Sequence, residues 1–312
     1  MGYPFWKAFA AFLLLFPGSI GWGIGTAFLT VPSDPRELAL GGFTSSIGGD
    51  PSLFRGNPAL IVQTLPGLEI YLGYSAWYAG ARGSSILVTQ SALRGTLGFG
   101  VRQLGDSDLE LRTATPTDNY LDHFAVSGTA VEATWGRAFG LPGTTQAEGS
   151  GRQLHVGGTV RWIRMESYVY TSWGMAMDFG VWLPVMRNVF SLGASVLNLG
   201  SMDALMNEAP SLPAMLLAGV TYQPVLPDKR FRSLVTAGVE ISRGHGVVTR
   251  MAGETAFGNA RITLGTRLSR KVTAVGMGLS LTRRRFEVAY GLEIGSHQLG
   301  IPHLLRIKIV LP

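Results

Sequence analysis

In Phe286-Glu287-Val288-Ala289-Tyr290-Gly291-Leu292-Glu293-Ile294 every even-numbered residue is large and apolar, and every odd-numbered one is acidic or small. Successive side chains of a strand leave opposite faces, so this segment presents one apolar face and one polar or small face. The same alternation runs through Ala260–Leu268, Val235–Ser242, Val275–Thr282 and Leu305–Ile309. Arg261, Arg267, Arg306 and Lys308 all fall on the small-residue face. If the apolar face meets lipid, placing one of these charges there at mid-depth costs about 2 to 4 kcal/mol, so together they fix the register.

A soluble sandwich also alternates, and three observations favour the membrane. Strands are expected to begin near Leu68, Ser84, Gly95, Asp122, Gln153, Trp173, Val189, Ala214, Arg232, Val247, Asn259, Val272, Arg285 and His303, most of them running about 9 to 12 residues. That makes an even count of fourteen, as outer-membrane barrels require. The small residues opposite the apolar ones would fill a soluble core poorly and suit a lumen-facing wall. Aromatic residues gather at strand ends (Trp77, Tyr78, Trp135, Trp162, Trp173, Trp182), where interfacial girdles belong. Composition agrees: 46% of residues are hydrophobic and 15% charged, against about 25% charged in ordinary soluble domains, and 42 are glycine. The expected fold is an all-β, antiparallel transmembrane barrel of about fourteen strands with an N-terminal hatch in its lumen.

Loop lengths set the topology. If the chain enters the first strand from the periplasm, residues 105–121 and 200–213 lie outside, and 185–188, Gly258 and Arg283-Arg284 inside. Residues 140–152 are the exception, a long polar loop on the periplasmic side, either a real feature there or a sign of one miscounted strand.

The N-terminus reads as an export signal. Lys7 precedes an apolar run from Ala8 to Phe16, Pro17-Gly18 break it, and Gly21, Gly23, Gly25 and Ala27 offer cleavage positions. The rival is a retained transmembrane helix, since residues 8–33 carry no charge. The division expected is 1–25 signal peptide, 26–66 hatch and 67–312 barrel, in the outer membrane of a diderm bacterium. The absence of cysteine excludes disulfides and thiolate sites and suits passage through an oxidising periplasm. Removing the signal takes Lys7 and lowers the net charge from +6 to +5, an excess that could meet anionic lipid headgroups, and no clustered basic face asks for nucleic acid.

The hatch carries the polar run Asp50-Pro51-Ser52-Leu53-Phe54-Arg55-Gly56-Asn57-Pro58-Ala59. Pro58 fixes its own torsion and drives Asn57 into an extended conformation, from which the amide can bond backbone groups that no ladder serves. Asn57, Pro58 and Ala59 are therefore the hatch motif. An ordinary Asn-Pro turn opening a globular domain is the plainer reading. Asn198, inside an apolar strand, reads as a bulge or strand-end residue.

Pro35-Arg36-Glu37-Leu38-Ala39-Leu40-Gly41-Gly42-Phe43-Thr44, Gly49-Asp50-Pro51-Ser52-Leu53-Phe54 and Asn57-Pro58-Ala59-Leu60 together resemble the N-terminal signature of the PorV/PorQ-type proteins, relatives of the FadL-like hydrophobic-compound channels. Further stretches are similar to that family: residues 98–106, Ala176-Met177-Asp178-Phe179-Gly180, residues 191–200, Leu212-Pro213 and residues 217–222. The resemblance implies a fourteen-stranded barrel with a lumenal hatch. It also implies one of two roles: a shuttle or attachment protein of type IX secretion, or a conduit for lipophilic molecules. The chain differs from the commoner Asn-Pro-Ala-Gly in having Leu60, and it ends Val310-Leu311-Pro312 without a terminal aromatic residue.

Nothing in the sequence asks for catalysis, a metal or a cofactor. No G-x-S-x-G elbow occurs, His123, His155, His245, His297 and His303 stand singly, and Gly276-x-Gly278 precedes no helix. Asp106, Asp108, Glu110, Asp118 and Asp122 lack EF-hand spacing and read as a solvated loop. Two functions remain. In the first, Met202, Leu205, Met206, Leu212 and Pro213 form an exposed, semi-apolar loop that docks a secreted or surface-attached protein or its secretion machinery. In the second, the same residues collect a lipophilic small molecule. Arg161, Asp178, Glu240, Arg261, Arg267, Glu287, Glu293, Arg306 and Lys308 are expected to point inward. They describe a wet or hatch-packed lumen rather than a greasy tunnel, which favours the adaptor.

Overall fold

Segments with one apolar and one small or polar face bury neither face in water, and here they close on themselves. The computed structural model describes residues 24–65, 67–113, 119–141, 153–186, 189–205, 207–242, 246–270, 272–296 and 300–312. Fourteen antiparallel strands form one closed barrel: β1 (Leu68–Ala76), β2 (Arg82–Ala92), β3 (Gly95–Leu111), β4 (Asp122–Gly140), β5 (Gln153–Ser167), β6 (Tyr170–Val185), β7 (Phe190–Met202), β8 (Met215–Tyr222), β9 (Phe231–Ser242), β10 (Gly246–Phe257), β11 (Ala260–Leu268), β12 (Thr273–Arg283), β13 (Phe286–Gly295) and β14 (His303–Leu311). β1 pairs with β14 from Leu68↔Leu311 to Ala76↔His303, so no strand edge is left open. Among the described residues no helix is long and apolar enough to cross a membrane.

Large residues such as Phe99, Val131, Trp162, Phe179, Leu264 and Tyr290 stand exposed on the outer face in a continuous apolar band. The rim where the chain enters β1 and leaves β14, here the near rim, carries tight two-residue turns at Leu93-Arg94, Gly258-Asn259 and Arg284-Arg285. Leu93 and Arg94 take φ of 52° and 58°, the left-handed values that match a hairpin turn to the strand twist. Just inside this rim runs a girdle of Phe139, Phe190, Tyr222, Phe231, Phe257 and Phe286, with Phe190–Tyr222 rings 5.0 Å apart and Phe231–Phe257 rings 4.7 Å apart.

Strand starts lie within three residues of the sequence expectation. Lengths differ: β3 to β6 run 17, 19, 15 and 16 residues instead of 9 to 12. Their far ends carry Asp106, Asp108, Glu110 and Asp122, so the β3–β4 hairpin continues as ladder beyond the apolar band. Trp182 is not a girdle residue. It points inward, 8% exposed, and its indole N–H donates to the Ser46 carbonyl at 2.9 Å. The β4–β5 connection does fall at the near rim, but residues 142–152 lie outside the described set, as do 1–23 with the expected signal. Asn198 sits where the β6–β7 register shifts, with φ +59°, at a bulge that offsets one residue of the ladder.

Candidate functional site

Three Asx-Pro steps shape residues 25–64, which lie against the inward faces of the strands. Asp34, Asp50 and Asn57 each adopt an extended backbone and cap a short helix: Pro35–Ala39, Pro51–Arg55 and Pro58–Gln63. In each the side-chain Oδ1 accepts the N–H two residues on, from Arg36 at 2.8 Å, Ser52 at 3.0 Å and Ala59 at 3.0 Å. Proline at the first helical position has no N–H to leave unpaired and fixes φ, so each step starts a helix cheaply. The Asn57 amide also donates to the carbonyls of Ser45 at 2.6 Å and Val181 at 2.9 Å, which ties this segment to β6. Pro58 and Ala59 lie against Gly157 and Gly180, and Asn57 and Ala59 have no exposed surface.

Capping uses one oxygen of each aspartate and leaves the other for the wall. Arg306 of β14 donates to Asp34 Oδ2 at 2.5 Å, to Ser52 Oγ at 2.7 Å and to Glu287, with Asp50 Oδ2 at 3.4 Å. Burial alone would raise the Asp50 carboxyl, but Arg306 and Arg36 outweigh it and hold that carboxyl well below the usual range. Arg36 reaches out in turn to Glu254 of β10 through two bonds of 2.7 and 2.8 Å. On the opposite wall Glu132 of β4 receives Arg55 at 2.6 Å and Arg161 at 2.8 Å, with Arg102 at 3.4 Å, and Arg161 continues to Asp178 at 2.8 Å. Arg250 joins Glu240 to the Gly41 carbonyl. Lys308–Glu69 at 2.8 Å and Arg267–Glu293 at 2.6 Å are pairs within the wall.

All nine charges expected to point inward do so. Arg161, Asp178, Glu240, Glu287, Glu293 and Arg306 are buried, and Arg261, Arg267 and Lys308 partly so. They face the segment or one another rather than bulk water. Sequence reasoning missed Glu69, Arg102, Glu132, Arg250 and Glu254. Their signal was present, because each falls on the inward parity of its strand, Arg250 and Glu254 together on that of β10. It also missed that Asp34-Pro35 and Asp50-Pro51 repeat the Asn57-Pro58 step.

The small inward residues do not line a wet wall. A Cβ at Gly193 would strike the Ser45 carbonyl, at Gly157 the Pro58 carbonyl, at Gly276 the Leu38 carbonyl and at Gly291 the Pro35 carbonyl. At Gly265 it would come within 2.5 Å of the Leu40 carbonyl carbon. These glycines belt the lumen from β5 round to β13 and admit the segment at backbone distance. One crevice left between segment and wall, beside Phe28, Ser33, Gly73, Ser85 and Arg102, has a volume of about 20 Å³, enough for about one water.

Above the Glu132–Arg161 layer, toward the far rim, the lumen turns apolar. Phe28, Leu29, Ile163, Met165, Met202 and Leu212 form one buried cluster with Ala130 and Ala176. This corrects the expected docking loop. Met202 and Leu212 are 6% and 7% exposed and pack inward on Phe28, because Met202 ends β7 on its inward parity and Thr26 Oγ1 holds the Ser211 carbonyl at 2.6 Å. Leu205 and Pro213 are half-buried, and Met206 lies outside the described residues. Among the described residues no three His, Asp or Glu side chains converge as a metal site.

No protein-family model and no curated relative matches the sequence. Solved structures do match the fold. The monoaromatic hydrocarbon channel CymD superposes with a TM-score of 0.60 at 12% identity, covering 90% of this chain and 98% of that one. The toluene transporters TodX of P. putida and TbuX of Ralstonia pickettii give 0.55 and 0.54 at 11% and 10% identity, each over 89% of this chain and 98% of the other. At such identities the likeness is one of fold.

Proposed function

We propose that this protein is an outer-membrane channel for lipophilic small molecules, with the near rim in the periplasm, residues 26–66 acting as its hatch and residues 1–25 as a cleaved export signal. The observation that carries the reading is the apolar cluster of Phe28, Leu29, Ile163, Met165, Met202 and Leu212, which lies on the far-rim side of the Glu132–Arg161 charges. It sits toward the far rim and is completed by residues of the segment itself, so a greasy solute taking Phe28's place competes with the segment for the same wall. A thioether-rich, adaptable pocket suits small hydrocarbons of varied shape. The fold shared with CymD, TodX and TbuX supports the same substrate class.

The charged layer beneath blocks straight passage. Arg55, Arg102 and Arg161 around Glu132 leave no apolar route along the axis while the segment is docked. Conduction therefore requires the segment to shift, and the ion pairs set its resting state. The adaptor reading loses the exposed surface it needs, since Met202 and Leu212 are already buried.

Uptake of radiolabelled toluene by a host lacking its own hydrocarbon channel tests the proposal. Expression should raise uptake above the empty vector, and Met165→Asp with Met202→Asp should abolish the gain while the barrel still shifts in mobility between unboiled and boiled samples. Uptake equal to the vector, from a barrel folded in the outer membrane, refutes it.

A further inference from the structure

The charges outside the lumen are unevenly divided between the two rims. Arg94, Lys229, Arg232, Arg283, Arg284 and Arg285 are all exposed at the near rim, and Arg137 stands half-buried beside them with its guanidinium 5.3 Å from the Phe139 ring centroid. The exposed carboxylate described there, Asp228, is taken by Arg230 at 2.8 Å. The far rim carries Asp106, Asp108, Glu110, Asp122, Asp203 and Glu208 beside the exposed Arg82, Arg112, Arg164 and Arg270, of which Arg112 and Arg164 are paired with Glu110 and Glu166.

These near-rim cations gather in several places. Arg137 lies two residues from Phe139 on the outward parity of β4, Arg283 pairs with Phe286 across the β12–β13 turn, and Lys229 and the lumen-side Arg232 flank Phe231, so three of the four stations stand beside the aromatic girdle. The stations fall at the β2–β3 turn, at β4, at the β8–β9 connection and at the β12–β13 turn, spread round the circumference. A protein partner needs one contiguous patch. A ring of separated cations, level with the aromatic residues that mark a membrane interface, is complementary to a layer of headgroups.

We infer that the near rim binds anionic phospholipid in the leaflet it contacts, with the phosphates of lipids such as phosphatidylglycerol seated between the rim cations and the aromatic girdle. Lysine and arginine at the membrane surface attract such headgroups over about a Debye length, and the guanidinium fork matches phosphate oxygens. At the far rim carboxylates outnumber the exposed arginines among the described residues, so the preference belongs to the near leaflet.

The test is electron paramagnetic resonance on the full barrel refolded in phosphatidylcholine vesicles, with trace spin-labelled phosphatidylglycerol or spin-labelled phosphatidylcholine as probe. The protein should hold phosphatidylglycerol in its immobilised shell at least about threefold more strongly, since one cation engaged at a membrane surface gives about a fivefold preference. That preference should collapse at 1 M salt, where the Debye length is about 3 Å. The variant R94Q/R137Q/K229Q/R232Q/R283Q/R284Q/R285Q should bring it close to unity, whereas far-rim R82Q/R164Q should leave it unchanged. An absent preference in the unaltered protein, or one that survives the seven substitutions or high salt, overturns the inference. The salt arm needs no variant, so the test stands even if the substituted barrel fails to refold.

Discussion

Arg306→Ala should loosen the lumenal segment without opening the barrel. The guanidinium, 2% exposed, serves Asp34, Asp50, Glu287 and Ser52 together, and Asp50 keeps a second ion-pair partner, Arg36 at 3.5 Å. Removing one member of a buried ion pair costs about 3 to 5 kcal/mol, because the abandoned carboxylates stay desolvated. At about 1.4 kcal/mol per decade, the undocked population rises by roughly two to three and a half orders of magnitude. β14 keeps its ladders to β1 and β13, so the barrel itself should survive. Planar-bilayer recording should show frequent conducting openings in the variant and rare ones in the parent, while amide exchange accelerates across residues 34–60 and stays slow in the strands. Making the clamp neutral throughout, with R306Q, D34N, D50N and E287Q combined, should restore much of the closure, since asparagine caps a helix as well as aspartate does. A closed, slowly exchanging Arg306→Ala variant would show that the clamp does not hold the segment.

Gly193→Val should eject the segment by overlap with the Ser45 carbonyl and raise conductance, while outward-facing Gly253, with nothing nearer its Cβ direction than the Leu234 carbonyl at 3.8 Å, should accept alanine silently. Asn57→Ala removes a cap and two further bonds and strands the Ser45 carbonyl, so the segment should weaken by about 2 to 3 kcal/mol, read as faster protease cleavage after Arg55. Burial first, and Asp34 second, push the Glu37 carboxyl from 4.5 up to about 7, so the docked segment favours its protonated form. Docking is then firmest below pH 4.5 and weakens as pH rises through 7, by about 1 to 2 kcal/mol after allowance for the side chain's intermediate solvent exposure. Cleavage after Arg36 should speed up from pH 5 to pH 8 in the parent and stay level in Glu37→Gln.

The barrel was legible because a period of two repeats in strand after strand, and little but a two-faced sheet produces such a run. Phe286–Ile294 alone states which side faces lipid, and the lone arginines state the register. The lumen was harder to read. Parity says that Glu132 and Glu254 point inward, but which cation each meets depends on where Arg55 and Arg36 land, and those residues arrive from a segment with no periodicity. Three Asx-Pro steps shape it locally, and the sequence shows them, yet no local rule places Asp34 and Asp50 on the same guanidinium. Met202 and Leu212 misled for a related reason. A loop rich in methionine and leucine looks like an exposed patch until residues 25–30 are known to lie beneath it.

The seam between β1 and β14 joins residues about as far apart as this chain allows, so its closure carries the largest loop entropy of any ladder in the barrel. Residues 25–64 precede in the chain every strand that surrounds them. Their seats at Gly157, Gly180 and Trp182 lie on β5 and β6, which exist while the sheet is still an open, curling ribbon. Because those seats demand contact at backbone distance, threading the segment into a finished ring would drag Phe43 and Phe54 past a fully packed wall. Closing the sheet around the segment avoids that passage, with residues 25–64 as the mandrel on which the later strands curl.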